Sequence, residues 1–376
     1  MVETGVELKP SLPPASALLQ LVSPLHTPLL APPETDWTAL LALAEEHGLA
    51  PLLYTRLETA LHALPDATQA ALHRAYMTNA AQAMLFEHEL SQVIALFRAE
   101  DVPLVAFKGV PLAKTLYGDA AVRPTVDVDV MVREADLDRS RALLEQAGWT
   151  ANSLWQIHYN FVKEVGGAEV LFELHWTSQR EGEYPIPPER FWEEAREGPN
   201  GWAFSHEMTL LILVLHTVRH QFEPYRQLVD IAHAVALWNE TLDWQRLVAL
   251  ADEADALPMV ATVLALVHRD LGAPLPRHDA LLREIGSKRV WLTTRYLSPA
   301  HLLGKRWFPV LDRYLAPVLS GASQPARLFL RDFVRPPEQL AYIYGLEPGS
   351  RLVPLFYVLR PFLLAGKYLR RIVERR

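Results

Sequence analysis

Asp127 and Asp129 stand two residues apart in Pro124-Thr125-Val126-Asp127-Val128-Asp129-Val130-Met131-Val132. Valines at 126, 128, 130 and 132 alternate with them. That is the period of a strand with one apolar face and one face presenting two carboxylates about 7 Å apart along the chain. Such neighbours repel unless a cation sits between them, and Mg2+ suits the place because one or two carboxylates plus substrate phosphates hold it. The pattern points to phosphate chemistry. Phe172-Glu173-Leu174-His175-Trp176 repeats the design, with Glu173 and His175 alternating with apolar residues. The apolar run Val102-Pro103-Leu104-Val105-Ala106-Phe107 ends at Lys108-Gly109. Backbone N–H groups at a helix start there would favour phosphate, and glycine lets phosphate approach closely. Lys108 would add positive charge on a leaving group. Arg123 is suited either to phosphate or to supporting Asp127.

These side chains need elements to hold them. Residues 101–187 read as a small α/β core. It has a short buried strand before Lys108, a short helix over Val110–Tyr117, and the aspartate strand. An amphipathic helix follows from Glu134 to Gly148, with Leu137, Ala142, Leu143 and Leu144 inward. Gly166-Gly167 between two β-type runs predicts a hairpin with a two-residue loop. Val165 then faces Ala168, Asn160 faces Glu173, and His158 faces His175, so Glu173 and His175 share a face. If this hairpin neighbours the aspartate strand, Asp127, Asp129 and Glu173 converge. Such a trio suits in-line phosphoryl chemistry on one or two metal ions. Residues 1–100 read as an N-terminal helical region, Pro-rich and loose over 1–14. Asp36-Trp37 opens one helix, and Asp66 is the expected N-cap of a long helix to Ala99, with Leu72, Tyr76, Ala80 and Met84 near helical spacing. Residues 188–376 read as a C-terminal helical region. The expected class is α+β, a small mixed sheet flanked by helices.

Weaker candidates remain. Asn160 and His158 face the acidic strand in the predicted register. His175 is expected to orient a carboxylate or a phosphate, or to pack beside Trp176. His216 and His220 are four apart on one helix face, with Asp230 on the next helix. That set reads as an inter-helix polar cluster, a substrate contact, or a zinc site. The basic C-terminal stretch, with Arg360, Lys367, Arg370, Arg371, Arg375 and Arg376, reads as a docked terminal helix with a basic end, or as a membrane-surface segment.

The bulk numbers exclude much. The chain has 376 residues, a formal charge of −8 and no cysteine. There is therefore no thiolate zinc site and no cysteine nucleophile. The acidic balance gives no bulk drive toward nucleic acid. No secretory signal and no apolar run long enough to span a bilayer are present, so a cytoplasmic protein is expected. Walker A, G-x-G-x-x-G and G-x-S-x-G patterns are absent.

Phe107-Lys108-Gly109, Arg123, Asp127-x-Asp129, Ala147-Gly148-Trp149 and Glu173-Leu174-His175-Trp176 together resemble the uncharacterised nucleotidyltransferase family of the polymerase-beta-like superfamily. His216-x-x-x-His220, Arg226, Asp230 and Asp243-Trp244 continue the resemblance. It implies a mixed-sheet nucleotidyltransferase core with helical additions. It also implies Mg2+, or Mn2+ in its place, and transfer of a nucleoside monophosphate from a nucleoside triphosphate to a small-molecule or protein acceptor. On that resemblance Asp127 and Asp129 match the metal pair and Glu173 the third acid. Lys108-Gly109-Val110 stands where the superfamily usually has Gly-Ser or Gly-Gly, and the interval from Gly109 to Asp127 is longer than usual. A non-catalytic nucleotidyltransferase-like binding or regulatory module is the alternative, and a phosphotransferase a third option.

Overall fold

The computed structural model describes residues 13–25, 35–155, 157–179, 183–198, 201–304, 312–321, 337–347, 349–360, 363 and 366. The strands are β1 (Val105–Ala106), β2 (Val128–Met131), β3 (Thr150–Leu154), β4 (His158–Val165), β5 (Ala168–His175), β6 (Ala195–Gly198) and β7 (Gly201–Phe204). They form one mixed sheet in the order β3-β4-β5-β2-β1-β7-β6. The helices that bear on it are α1 (Pro14–Val22), α2 (Trp37–Glu46), α3 (Ala50–Arg56), α4 (Asp66–Ala99), α5 (Gly109–Tyr117), α6 (Leu137–Gln146), α7 (Pro188–Glu193), α8 (His206–Arg219), α9 (Arg226–Trp238), α10 (Trp244–Glu253) and α11 (Leu257–Leu271). Shorter helices follow between 279 and 343. Among the described residues no helix is long and apolar enough to cross a membrane.

The strand period decides what each face buries. Val128, Val130 and Val132 join Val170, Phe172, Leu174 and Phe161 in one cluster, closed by Phe86, Leu90, Val93 and Phe97 of α4 and by Leu143 and Leu144 of α6. Each fully buried side chain of this size contributes about 1.5–3 kcal/mol. The opposite face of β2 carries Asp129 and Met131. Met131, Val105 and Phe107 belong to the larger helical cluster built on α8, α9 and α11. Helix α8 is apolar almost all round, Met208 and Leu210 to Leu215 being buried, which suits a helix packed on every side. The sheet is thus covered on both faces, and polar residues on its second face are enclosed.

The β4–β5 hairpin has the predicted register: Val165 pairs with Ala168, Asn160 with Glu173 and His158 with His175. Gly166 and Gly167 take φ of 61° and 84°, the left-handed values that such a two-residue turn demands. Strand β2 lies parallel to β5, with Asp129 opposite Glu173 and Met131 opposite His175.

Several expectations differ from the structure. The alternating stretch is a strand only over Val128–Met131. Val126 is 72% exposed, whereas the alternation puts it on the apolar face. The chain turns into β2 through a bend at 126–127, so the period begins late. Strands β6 and β7 lie in the stretch read as helical and extend the sheet past residue 187, β7 pairing parallel to β1. Four residues each, around Gly198 and Gly201, are too few for alternation to register. Ala142 and Met84 face solvent instead of the core. Asp66 lies inside the first turn of α4, and Pro65 holds the cap position without a side-chain bond. Arg360 is buried, while Lys367, Arg370, Arg371, Arg375, Arg376 and residues 1–12 lie outside the described residues.

Candidate functional site

The site is a row of side chains on the second face of β4, β5 and β2. Pairing across these strands sets Asn160, Glu173 and Asp129 side by side, with His158, His175 and Met131 in the next row. Asp127 sits one turn of the pleat before Asp129, in the bend that feeds β2. Glycine is required beside it. Gly109 opens α5 at φ 64°, and a Cβ there would lie 3.2 Å from Thr125 Cγ2 and 3.3 Å from the Asp127 carbonyl oxygen. The start of α5 is therefore pressed against the segment carrying Asp127.

Charge is crowded here. Lys108 Nζ lies 2.6 Å from Asp129 Oδ1. His175 Nε2 lies 3.1 Å from the same oxygen and 3.2 Å from Glu173 Oε2, so when protonated it donates to both carboxylates. Burial alone would raise the Asp129 carboxyl, but the Lys108 ammonium and the His175 hydrogen bond outweigh it and hold the group well below the carboxylate range. Burial also opposes the Glu173 charge, and the His175 hydrogen bond again prevails, so this carboxyl is lowered too. Burial works against a charged His175, whose bonds to Asp129 and Glu173 more than offset it and raise the imidazole. Asp127 goes the other way: burial, with the Asp129 charge next, pushes it up to about 7. Burial and then His175 bring His158 down to about 3.

Among the described residues, His158, Glu173 and His175 form one set of ligand atoms within 4.8 Å of one another. Asp127, Asp129 and Glu173 do not form such a set. The Asn160 amide donates to Ser153 Oγ at 3.1 Å, leaving its buried Oδ1 without a partner beside Glu173.

Arg123 is not on Asp127. Its Nε donates to Asp230 Oδ2 at 2.9 Å, and Tyr117 donates to Asp230 Oδ1 at 2.7 Å. Burial works against the Arg123 charge, and Asp230 more than compensates, raising the guanidinium. This buried pair ties the segment leading to Asp127 onto α9. His216 lines a narrow cleft with Lys108, His175, Gln179 and Arg219. Its ring centroid lies 4.3 Å from that of His220, which is exposed. Burial, and then the Lys108 charge, push His216 well below the usual imidazole range.

Two arginines escaped the sequence reading as site residues. Arg219 donates to the Ser178 carbonyl at 2.6 Å, to Gln179 Oε1 at 2.9 Å and to Glu183 at 3.0 Å, holding the segment after β5 against α8. A lone basic residue closing an otherwise apolar helix was its only signal. Arg226 has Nε and Nη1 buried with no hydrogen-bond partner. Burial, then the Arg123 charge, lower it to about 10, so it stays protonated at neutral pH. Gly48 lies against it, at a φ of 66°, with the position of a Cβ there 3.6 Å from Arg226 Nε.

A family model described as uncharacterised nucleotidyltransferase matches residues 33–272. The chain belongs to that family. The match spans the sheet and α2 to α11. Among solved structures, a nucleotidyltransferase-like antigenic protein from Paracoccidioides brasiliensis is similar over 53% of this chain and 96% of its own, at 15% identity and a TM-score of 0.34. The solution structure of the antibiotic-resistance factor ANT(2'')-Ia is similar over 58% of this chain and 97% of its own, at 13% identity and a TM-score of 0.28. At those scores neither likeness carries an argument. No curated protein matches the chain.

Proposed function

We propose that this family member moves a nucleoside monophosphate from a nucleoside triphosphate to a small-molecule or protein acceptor. The observation that carries the reading is the register of β2 on β5, which sets Asp129 beside Glu173 with Asp127 next to them and the Lys108–Gly109 turn alongside. In this reaction an acceptor oxygen bonds to the α-phosphorus, the bond from that phosphorus to the pyrophosphate oxygen breaks, and the acceptor proton passes to a base. Asp127 and Asp129 would supply the hard oxygen donors that Mg2+ takes, a cation there offsetting the burial, and then the Asp129 charge, that hold Asp127 up to about 7. When bound, Mg2+ supplies charge neutralisation on the phosphate oxygens. Glu173, kept ionised by His175, is the base in this reading while no ion is bound to it. Lys108 and the backbone N–H groups at the start of α5 receive the departing pyrophosphate.

Incubation with each nucleoside triphosphate, Mg2+ and candidate acceptors, with pyrophosphate release as readout, tests it. Asp127→Asn and Asp129→Asn should each slow release by at least ~100-fold, about 2.7 kcal/mol of transition-state stabilisation. Release unchanged in the double variant removes the site assignment. A second reading, a non-catalytic binding or regulatory module, draws on the Lys108–Asp129 ion pair, in which a side-chain ammonium already covers the carboxylate. Calorimetry separates the two. The enzyme binds a triphosphate in Mg2+, whereas the module captures a protein partner and no nucleotide.

A further inference from the structure

We propose that His158, Glu173 and His175 form a nitrogen-ligated site for a divalent later first-row transition ion, Co2+ or Zn2+, adjoining the oxygen-donor pair Asp127 and Asp129. An ion about 2.1 Å from each ligand separates neighbouring ligand atoms by roughly 3.0–3.4 Å, the range between octahedral and tetrahedral angles. His175 Nε2 is 3.2 Å from Glu173 Oε2, and His158 Nε2 is 3.4 Å from Glu173 Oε1. The two imidazole centroids are 4.6 Å apart. The rings are enclosed, His175 being 4% and His158 12% exposed at the side chain, and both carry a buried Nδ1 without a partner. The Nδ1 side of each ring is thus without a protein partner, and His175 Nε2 exchanges its bonds to Asp129 and Glu173 for the ion.

The charge pattern favours an ion at this place. Asp129 has Lys108 on it, but among the described residues no Lys or Arg forms an ion pair with Glu173. Donor type sets the ion class. Imidazole suits Zn2+ and the later first-row ions, whereas Mg2+ takes oxygen in near-ideal octahedra and dehydrates reluctantly. Three protein ligands leave positions open to water or to a substrate oxygen. His175 also touches Asp129, so an ion held here shares its surroundings with the aspartate pair.

The test uses the full chain, stripped of metal and titrated with Co2+, whose visible absorption distinguishes a protein-bound ion of low coordination number from the hydrated ion. The expected result is one Co2+ per chain, displaced by Zn2+ and retained against a ~100-fold excess of Mg2+. His158→Gln should weaken Co2+ by roughly 100-fold, the upper end of what loss of even an outer-shell partner does. Glu173→Gln should weaken it similarly, which keeps the test decisive if one variant fails to fold. Asp127→Asn should keep the spectrum. Displacement by equimolar Mg2+, wild-type affinity in a folded His158→Gln or Glu173→Gln protein, or loss of the spectrum in folded Asp127→Asn would each overturn the proposal. Binding is read without nucleotide, so this outcome is separate from the pyrophosphate assay. A chain that binds Co2+ and transfers nothing refutes the proposed activity alone.

Discussion

Asp230→Asn should destabilise the fold severely, and the reason can be worked from the contacts. Asp230 and Arg123 are 1% and 9% exposed at the side chain, with Nε and Oδ2 at 2.9 Å. Asparagine keeps an acceptor for the Tyr117 hydroxyl but strands the Arg123 guanidinium without counter-charge. Breaking one side of a buried pair costs about 3–5 kcal/mol. Arg123→Met should cost a similar amount, because it strands Asp230 instead. The double variant Arg123→Met/Asp230→Asn removes both charges of the pair and should lose less than the two single variants together, giving a coupling of about 2 kcal/mol or more. Urea unfolding followed by tryptophan fluorescence reads this directly. With a slope of about 3 kcal/mol/M, each single variant should lower the midpoint by about 1–1.7 M. Single variants within about 0.5 kcal/mol of wild type, or losses that simply add, would refute the pairing as the anchor of the Asp127 segment.

Arg226→Met should raise stability by about 1–3 kcal/mol, since it removes a buried guanidinium whose Nε and Nη1 bond to nothing; a lowered melting temperature would count against that account. Gly109→Ala should cost about 1–2 kcal/mol for its φ of 64° alone, and more for the approach to the Asp127 carbonyl, read as a fall in melting temperature together with reduced pyrophosphate release. Burial holds His233 down to about 4, where its Nε2 donates to the Val22 carbonyl at 3.1 Å. Between the unfolded value near 6.5 and about 4, the unfolded chain takes up a proton that the folded chain refuses. The His233 contribution is therefore full above pH ~6.5 and falls by about 3 kcal/mol toward pH 4, and His233→Gln should remove that part of the slope in urea midpoints measured across the range.

Much of the candidate site is written in local pattern. Gly166-Gly167 fixed the hairpin turn, and a period of two then fixed every pair from Val165–Ala168 to His158–His175. The same period put Glu173 and His175 on one face. At Val126 the pattern misled, because alternation holds only where the strand does, and it says nothing of what covers a face. Val126 leaves the strand in a bend, and Met131 lies under the helical lobe. Strand β7 was illegible because its parallel partner, β1, pairs across the chain from Val105 to Trp202, and β6 reaches the sheet only through β7. No window along the sequence holds that contact.

The sequence alone determined the strand alternation, the turn chemistry, and the residue types able to bind phosphate and metal. Tertiary structure decided their neighbours. The parallel placement of β2 on β5 put Asp129 beside Glu173. The packing of α9 gave Arg123 to Asp230 instead of to Asp127. Enclosure beneath α8 and α9 set the charge states. A carboxylate in water titrates alike anywhere in a chain. Buried beside Asp129, Asp127 is held up to about 7, while Asp129 itself, under Lys108 and His175, is held far down. Desolvation and close charge act through space, so they depend on distances that the order of residues does not specify.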